Sequence, residues 1–353
     1  LAEDVIASHD LPPFPNSAMD GFAVRSADVS DPPVELQVID EVAAGSVASE
    51  SVRPGTAIKI MTGAPMPDGA DAVVKVEDTE QAESTRVRIL ATAPAGTALR
   101  PAGGDVPKGT NVLESGERLG PAHLGVLASL GVAFPTVRQR PVVAIMSTGD
   151  EVTPPDTQVL GPGKIRDSNR FILAGLLEEA GAVVIDRGIV PDDAGKLRSV
   201  LGHAASQSDV VVTSGGVSMG EHDVVKEVFA GVGEVEFWRV AMQPAKPFGF
   251  GSIGGVPFFG LPGNPVSVAV AFEQYLRPAL LSMIGSTRLF RPRLAGTITE
   301  NVSTDPAKEV FLRVRAEYVN GNWSASLSGG QWSNVLSALA AANAYAVIPV
   351  GRG

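Results

Sequence analysis

The chain has 353 residues, 44% of them apolar, which is ample for a core and too long for one ordinary domain. Its formal net charge of −11 argues against a nucleic-acid partner and requires any anion site to rest on local positive groups. The absence of Cys excludes disulfides, thiolate metal sites and a Cys nucleophile, and four scattered His residues (His9, His123, His203, His222) make a zinc site a poor reading.

No apolar run reaches transmembrane length; Val335 to Val350 comes nearest and is interrupted by Ser337, Asn343 and Pro349. No signal-peptide pattern opens the chain, so a cytoplasmic protein with no membrane partner is expected. The first residue is Leu1 rather than Met, and the start reads as trimmed.

Leu1 to Phe14 is a lead-in, after which an Asp20-Gly21 turn precedes an apolar run. From there to about Val106 the pattern predicts strands over Val34–Ile39, Ala57–Met61, Ala72–Val76 and Arg86–Leu90, punctuated by Gly and Pro. Pro121 to Gly131 has Pro at a first helical position, leucines at helical spacing and Gly as a stop, which predicts a helix of a small linking domain.

From Arg140 strands and helices alternate. The pattern predicts a strand over Val142–Met146, a helix capped by Ser168 and closing at Gly181, and a strand over Ala182–Ile185. A helix capped by Asp192 or Asp193 follows to about Gln207, then a strand over Asp209–Thr213 and a helix over Glu221–Ala230. Strands over Glu234–Met242 and Val256–Phe259 precede a helix from Pro265 to Ile284. This order implies a mostly parallel sheet covered on both faces, with ligands at the strands' carboxyl ends. Arg293–Glu300 and Phe311–Val319 alternate as strands of a small C-terminal β domain.

Three Gly-bearing polar turns fall at those carboxyl ends: Ser147 to Glu151, Ser214 to Ser218 and Gly260 to Pro265. A strand feeding Gly215-Gly216 and then a helix leaves backbone N–H groups free for a phosphate, with the helix dipole behind them. The turn lacks the Lys-Ser/Thr ending of a nucleotide P-loop, and a plain tight turn is the competing reading. Three such turns together favour a shared site.

These residues resemble the molybdopterin molybdenumtransferases, the MoeA family that includes the E domain of gephyrin. The matching motifs are Asn16 to Val24, Met61-Thr-Gly-Ala-Pro65, Ser147-Thr-Gly-Asp-Glu151, Asp167-Ser-Asn169, Ser214-Gly-Gly-Val-Ser218 with Gly220 and Asp223, Pro244-Ala-Lys-Pro247, and Gly260 to Ser267. They run in the family's order across nearly the whole chain. The resemblance implies an enzyme that inserts molybdate into adenylyl-molybdopterin with release of AMP, using Mg²⁺. It also implies an elongated homodimer of four-domain α/β subunits, with a molybdopterin adenylyltransferase as a possible partner. The expected divisions are a linking domain over 1–14 and 107–137, an inserted β-rich domain over 15–106, an α/β molybdopterin-binding domain over 138–288 and a C-terminal β domain over 289–353. Against the family pattern both ends read as cut, Gly104 stands where Glu is common, and Gln243-Pro-Ala-Lys-Pro247 replaces Lys-Pro-Gly-Lys-Pro.

On this resemblance the phosphate-binding residues are Ser214, Gly215, Gly216, Ser218, Pro262, Gly263 and Asn264, with Asp167, Asn169 and Lys246 completing the pterin site. Lys246 is a point charge for phosphate or molybdate, although a lysine between two prolines is also at home in solvent; Arg100 is a weaker candidate of the same kind. Asp20, Thr62, Asp105, Glu151 and Asp193 are the catalytic candidates, and Asp223 with Asp105 the metal ligands. Thr62 is expected to donate to a molybdate oxygen, and Asp20 to act from a different domain. Asp193 as a helix cap, Asp150 as a turn former and Thr62 as a turn hydroxyl stay open as structural alternatives. His222 reads as surface. Two other functions compete: an adenylyltransferase, which resembles only Arg140–Ile284, and a non-catalytic scaffold of the gephyrin type.

Overall fold

The computed structural model describes residues 1–83, 85–216, 228 and 233–352. Ser218, Gly220, Asp223 and the helix expected over Glu221–Ala230 lie outside the described residues. The chain divides into two compact units, Leu1–Val137 and Arg138–Gly353.

In the first unit, short apolar runs between Gly and Pro turns give a six-stranded sheet. Its strands are β1 (Gly21–Val24), β2 (Val34–Val42), β3 (Thr56–Ile60), β4 (Ala72–Lys75), β5 (Thr79–Glu83) and β6 (Arg86–Ile89), in the order β4-β1-β3-β2-β6-β5. The β2–β3 pair is parallel and the others are antiparallel. Strand alternation sends Val24, Ala57 and Val74 into one buried cluster and Ala23, Ile58 and Val73 into another. Gly21 opens β1 where the Val74 carbonyl would collide with any Cβ. The lead-in pairs through Val5–Ile6 with Asn111–Leu113. Helix α1 (Pro121–Ser129) packs Leu127 among Leu1, Val5 and Leu113.

The second unit is built on β-branched strands that alternate between two helical layers. The elements are β7 (Val142–Thr148), α2 (Asn169–Glu179), β8 (Val183–Val190), α3 (Ala194–Ala205), β9 (Val210–Ser214), β10 (Gly233–Arg239), β11 (Pro247–Ile253) and β12 (Val256–Leu261). The sheet order is β8-β7-β9-β12-β11-β10. The first four strands are parallel, and β11 and β10 add an antiparallel edge. Val143, Ile145, Val210 and Val212 pack with Leu173 and Leu177 of α2; Ala144, Met146 and Val211 pack with Leu197 and Leu201 of α3.

Strand β11 was not expected from the sequence. Its two glycines dilute the β pattern, yet Gly251 is where the Glu234 carbonyl of β10 leaves no room for a Cβ. The helix expected from Pro265 to Ile284 is α4 (Pro265–Ala271), a π turn over Phe272–Leu276, and α5 (Arg277–Met283). Pro278 has no N–H to continue the α ladder, and just before it the Arg277 N–H bonds back to Phe272 O.

The chain ends in β13 (Glu309–Val319), β14 (Asn322–Leu327), α6 (Leu336–Ala341) and β15 (Ala344–Ile348), with β13 antiparallel to both β14 and β15. Met242–Gln243 adds to β13 as a short parallel strand, so this sheet is joined to the chain just before Lys246. Of the strand expected over Arg293–Glu300, only Thr297–Ile298 pairs.

Candidate functional site

In the second unit the register places Ser147, Ser214 and Leu261 side by side at the carboxyl ends of β7, β9 and β12. Asn169, the first residue of α2, reaches across this row. Its Nδ2 donates to Ser214 Oγ at 2.6 Å and to the Gly263 carbonyl at 2.7 Å, while its buried Oδ1 has no hydrogen-bond partner among the described residues. Gly215 (φ 93°) and Gly216 (φ 69°) both adopt left-handed backbone. At Gly215 a Cβ would stand 2.6 Å from the Thr148 carbonyl, and the Gly215 N–H donates to Leu261 O at 3.0 Å. Ser147, Asn169, Ser214, Gly215, Gly216 and Gly263 therefore gather at one sheet edge. Gly263 and Asn264 are exposed, and Pro262 before them is buried.

Asp167 holds this arrangement from below. Ser147 Oγ donates to its Oδ1 at 3.0 Å, and the Asn169 N–H does so at 3.1 Å. Arg170 donates from Nε to Asp167 Oδ2 at 2.5 Å and from Nη1 to both oxygens of Asp186. The expected cap, Ser168, makes no side-chain cap bond; Asp167, with two acceptor oxygens, takes that place.

Glu151 and Asp150 are exposed on the turn after β7. Asp150 Oδ1 accepts the Asp192 N–H at 3.1 Å, and its carbonyl accepts Lys164 Nζ at 2.5 Å. The Asp192 residue is largely exposed, but partial burial of its carboxyl and repulsion from Asp150 and Glu151 raise it above the usual carboxylate range. Asp193 Oδ1 accepts the Lys196 N–H at 2.7 Å, so this carboxylate serves as the N-cap of α3. Lys246 is exposed, and its charge helps to lower the Asp305 carboxyl, behind the larger effects of the Lys308 and Ala307 donors.

Described by itself, the first unit has one well-defined polar pair. Asp20 Oδ1 accepts the Thr62 N–H at 2.6 Å and the Thr62 hydroxyl at 2.7 Å. The backbone donor first and the hydroxyl second hold Asp20 below the usual carboxylate range. Thr62, expected to donate to a molybdate oxygen, donates its hydroxyl hydrogen bond to Asp20. Asp105 and Arg100 are exposed, and neither side chain is committed to another described group.

Arg170, Asp186 and Ser333 were not singled out from the sequence. A charged residue within the apolar β8 run was a signal for Asp186; nothing local marked Ser333, whose Oγ accepts Asn264 Nδ2 at 2.8 Å across 69 residues.

Residues 1–131 match the MoeA N-terminal region (domain I and II), residues 144–282 a family described as "Probable molybdopterin binding domain", and residues 295–353 the MoeA C-terminal region (domain IV). The chain is 40% identical to molybdopterin molybdenumtransferase 2 of Mycobacterium tuberculosis over 99% of its own length and 88% of that protein's. It is 38% identical to the molybdopterin molybdenumtransferase of Haemophilus influenzae, over 100% of this chain and 87% of that one. The chain belongs to the MoeA family. The crystal structure of the MoeA protein from Pyrococcus horikoshii OT3 superposes with a TM-score of 0.85 at 32% identity, covering 100% of this chain and 89% of that one. In this MoeA chain the polar sheet edge lies within residues 144–282 and the Asp20–Thr62 pair within residues 1–131. Family regions match on both sides of the α/β portion, which argues against the adenylyltransferase reading.

Proposed function

We propose that this protein inserts molybdate into adenylyl-molybdopterin, releasing AMP and molybdenum cofactor, and that it does so as a cytoplasmic homodimer. The observation that carries the assignment of the site is the Asn169 bridge, which ties the turn after β9 to the turn after β12. The substrate's phosphates would be received by backbone N–H groups of Gly216, Gly263 and Asn264, with Ser218 expected to join them. Asn264 and Ser214 would orient the ligand through polar side chains, and Lys246 would attract phosphate or molybdate as a point charge. Asn169, with both amide hydrogens engaged and its Oδ1 buried, would hold the two turns in place. In the first unit, Thr62 donates to Asp20 and so keeps that carboxylate ionised as an acceptor. Asp20 would act on the reacting centre as a fixed charge, and Asp105 and Arg100 are further candidates. Glu151 would act at the edge of β7. Asp193 has its carboxylate engaged as a cap and keeps only a weaker claim to a catalytic role.

A divalent cation would neutralise phosphate charge during the transfer. Among the described residues no group of three or more His, Asp or Glu could hold a metal ion. Mg²⁺ does not require such a cluster, because it takes one or two carboxylates together with phosphate oxygens and water. Asp150 with Glu151 on the turn after β7 would supply those carboxylates in the second unit, with Asp105 and Asp223 the ligands the resemblance implies.

The test is to incubate the protein with adenylyl-molybdopterin and Mg²⁺, with and without molybdate, and to follow AMP release. Cofactor formation is followed by reconstitution of a cofactor-free molybdoenzyme. Molybdate-dependent AMP release with active cofactor is expected; AMP release that does not depend on molybdate, or none, would overturn the reading.

A further inference from the structure

Trp332 is 79% exposed and stands one residue before Ser333, whose Oγ accepts Asn264 Nδ2 at 2.8 Å and whose carbonyl accepts the Val266 N–H at 3.1 Å. The backbone that carries this exposed indole is thus one Cα step, about 3.8 Å between Cα atoms, from a residue fastened to the turn after β12.

The loop that carries it is held with unusual investment. Arg313 lies in β13 and is only 1% exposed, among the largest fully buried side chains. It has no carboxylate partner among the described residues. Its Nη2 donates to the Gly330 carbonyl at 3.3 Å and to the Trp332 carbonyl at 3.2 Å. Gln331 Oε1 accepts the Arg313 N–H at 2.8 Å, and its Nε2 donates to Arg313 O at 3.0 Å. Burying a guanidinium against neutral carbonyls is costly, and what it achieves here is a fixed backbone on both sides of Trp332. The indole itself makes no ring contact or hydrogen bond with another described side chain. A large apolar ring on an immobilised loop beside a polar turn has the form of a binding surface, because its ordering cost has been met before any ligand arrives.

We propose that Trp332 is a stacking platform for the heteroaromatic ring of the phosphorylated substrate, so that the turn at Gly263–Asn264 holds the phosphate and the indole holds the ring. This rests on the phosphate reading of that turn given above. The shared ligand chemistry is a planar nitrogen heterocycle joined to phosphate, which the pterin and the adenine both supply.

The test uses the full chain and three probes: AMP, molybdopterin and inorganic pyrophosphate, which has no ring. Dissociation constants are measured by titration calorimetry for the wild type, Trp332→Ala, Trp332→Phe and Asn169→Ala. Stacking of a base on an aromatic side chain supports an expected loss of about tenfold for Trp332→Ala with at least one ring-bearing probe, near-retention for Trp332→Phe, and no change with pyrophosphate. Loss with AMP alone assigns the adenine, and loss with molybdopterin alone assigns the pterin. If Asn169→Ala weakens all three probes while Trp332→Ala binds both ring-bearing probes as the wild type does, the phosphate turn stands and the platform is refuted. If Asn169→Ala leaves all three unchanged, Asn169 does not set the phosphate turn and the platform rests on Trp332→Ala alone; wild-type binding of both ring-bearing probes by Trp332→Ala then refutes it.

Discussion

Asn169 donates to Ser214 Oγ at 2.6 Å, joining the first residue of a helix to the last residue of a strand 45 positions away. The same amide nitrogen reaches the Gly263 carbonyl, so one side chain sets the distance between two turns that the sequence keeps far apart. Asn169→Ala removes both bonds and is expected to weaken phosphate-bearing ligands by about 5- to 100-fold, the equivalent of ~1–3 kcal/mol. Calorimetric titration with AMP checks this; wild-type affinity in a folded variant would free Asn169 of the role.

Arg170 is expected to matter for stability more than for charge at the surface. It neutralises Asp167, whose side chain is 1% exposed, and also pairs with Asp186. Arg170→Ala leaves a buried carboxylate without its cation and should destabilise the second unit by about 3–5 kcal/mol. Urea unfolding gives the value, and a loss under about 1 kcal/mol would mean that Asp167 finds another donor.

Asp20 stays ionised because the two Thr62 donors favour its charged form. A depressed carboxyl keeps its charge at every pH above its folded value and loses it only as pH falls through that value, below the model-peptide range. Between pH 5 and 8 the Asp20 contribution to turnover should therefore be flat. Asp20→Asn should abolish turnover while AMP affinity is retained; a variant with wild-type turnover would remove Asp20 from the chemistry.

Asp192 has the opposite sign. Burial and repulsion raise its folded carboxyl, so its unfavourable contribution is absent at low pH and grows as pH rises through the folded value. Asp192→Asn should melt above the wild type at pH 7, with the gap closing toward pH 4. A gap that is constant with pH would trace it to packing instead.

Much of the second unit was legible because its strands are short β-branched runs that bury both faces, as in Val142–Met146 and Val210–Val212. The apolar pattern stops β8 at Ile185, before Asp186; the strand continues to Val190 because β8 is the outermost strand of its sheet and Asp186 lies exposed on it, where a carboxylate is tolerated. Strand β11 was hidden by glycines whose value lies in a neighbour's close approach, which no local pattern records. At the site, Gly215 and Asn169 could be read from turn chemistry. The engagement of Thr62 with Asp20 and of Asn264 with Ser333 joins residues 42 and 69 apart, and such pairings leave no periodic trace. Ala245 takes φ 73° where the family pattern has Gly, a left-handed conformation that disfavours Ala. Its methyl group is buried in the core, which offsets part of that cost.

The central claim is that the turns after β9 and β12 hold the phosphate of an adenylylated pterin during molybdenum insertion. The most direct measurement is a crystal structure with AMP-containing molybdopterin and molybdate, with anomalous data at the molybdenum edge. Phosphate density is expected within hydrogen-bond reach of the backbone at Gly216 or at Gly263–Asn264. Phosphate bound elsewhere, with these turns facing only solvent, would contradict it.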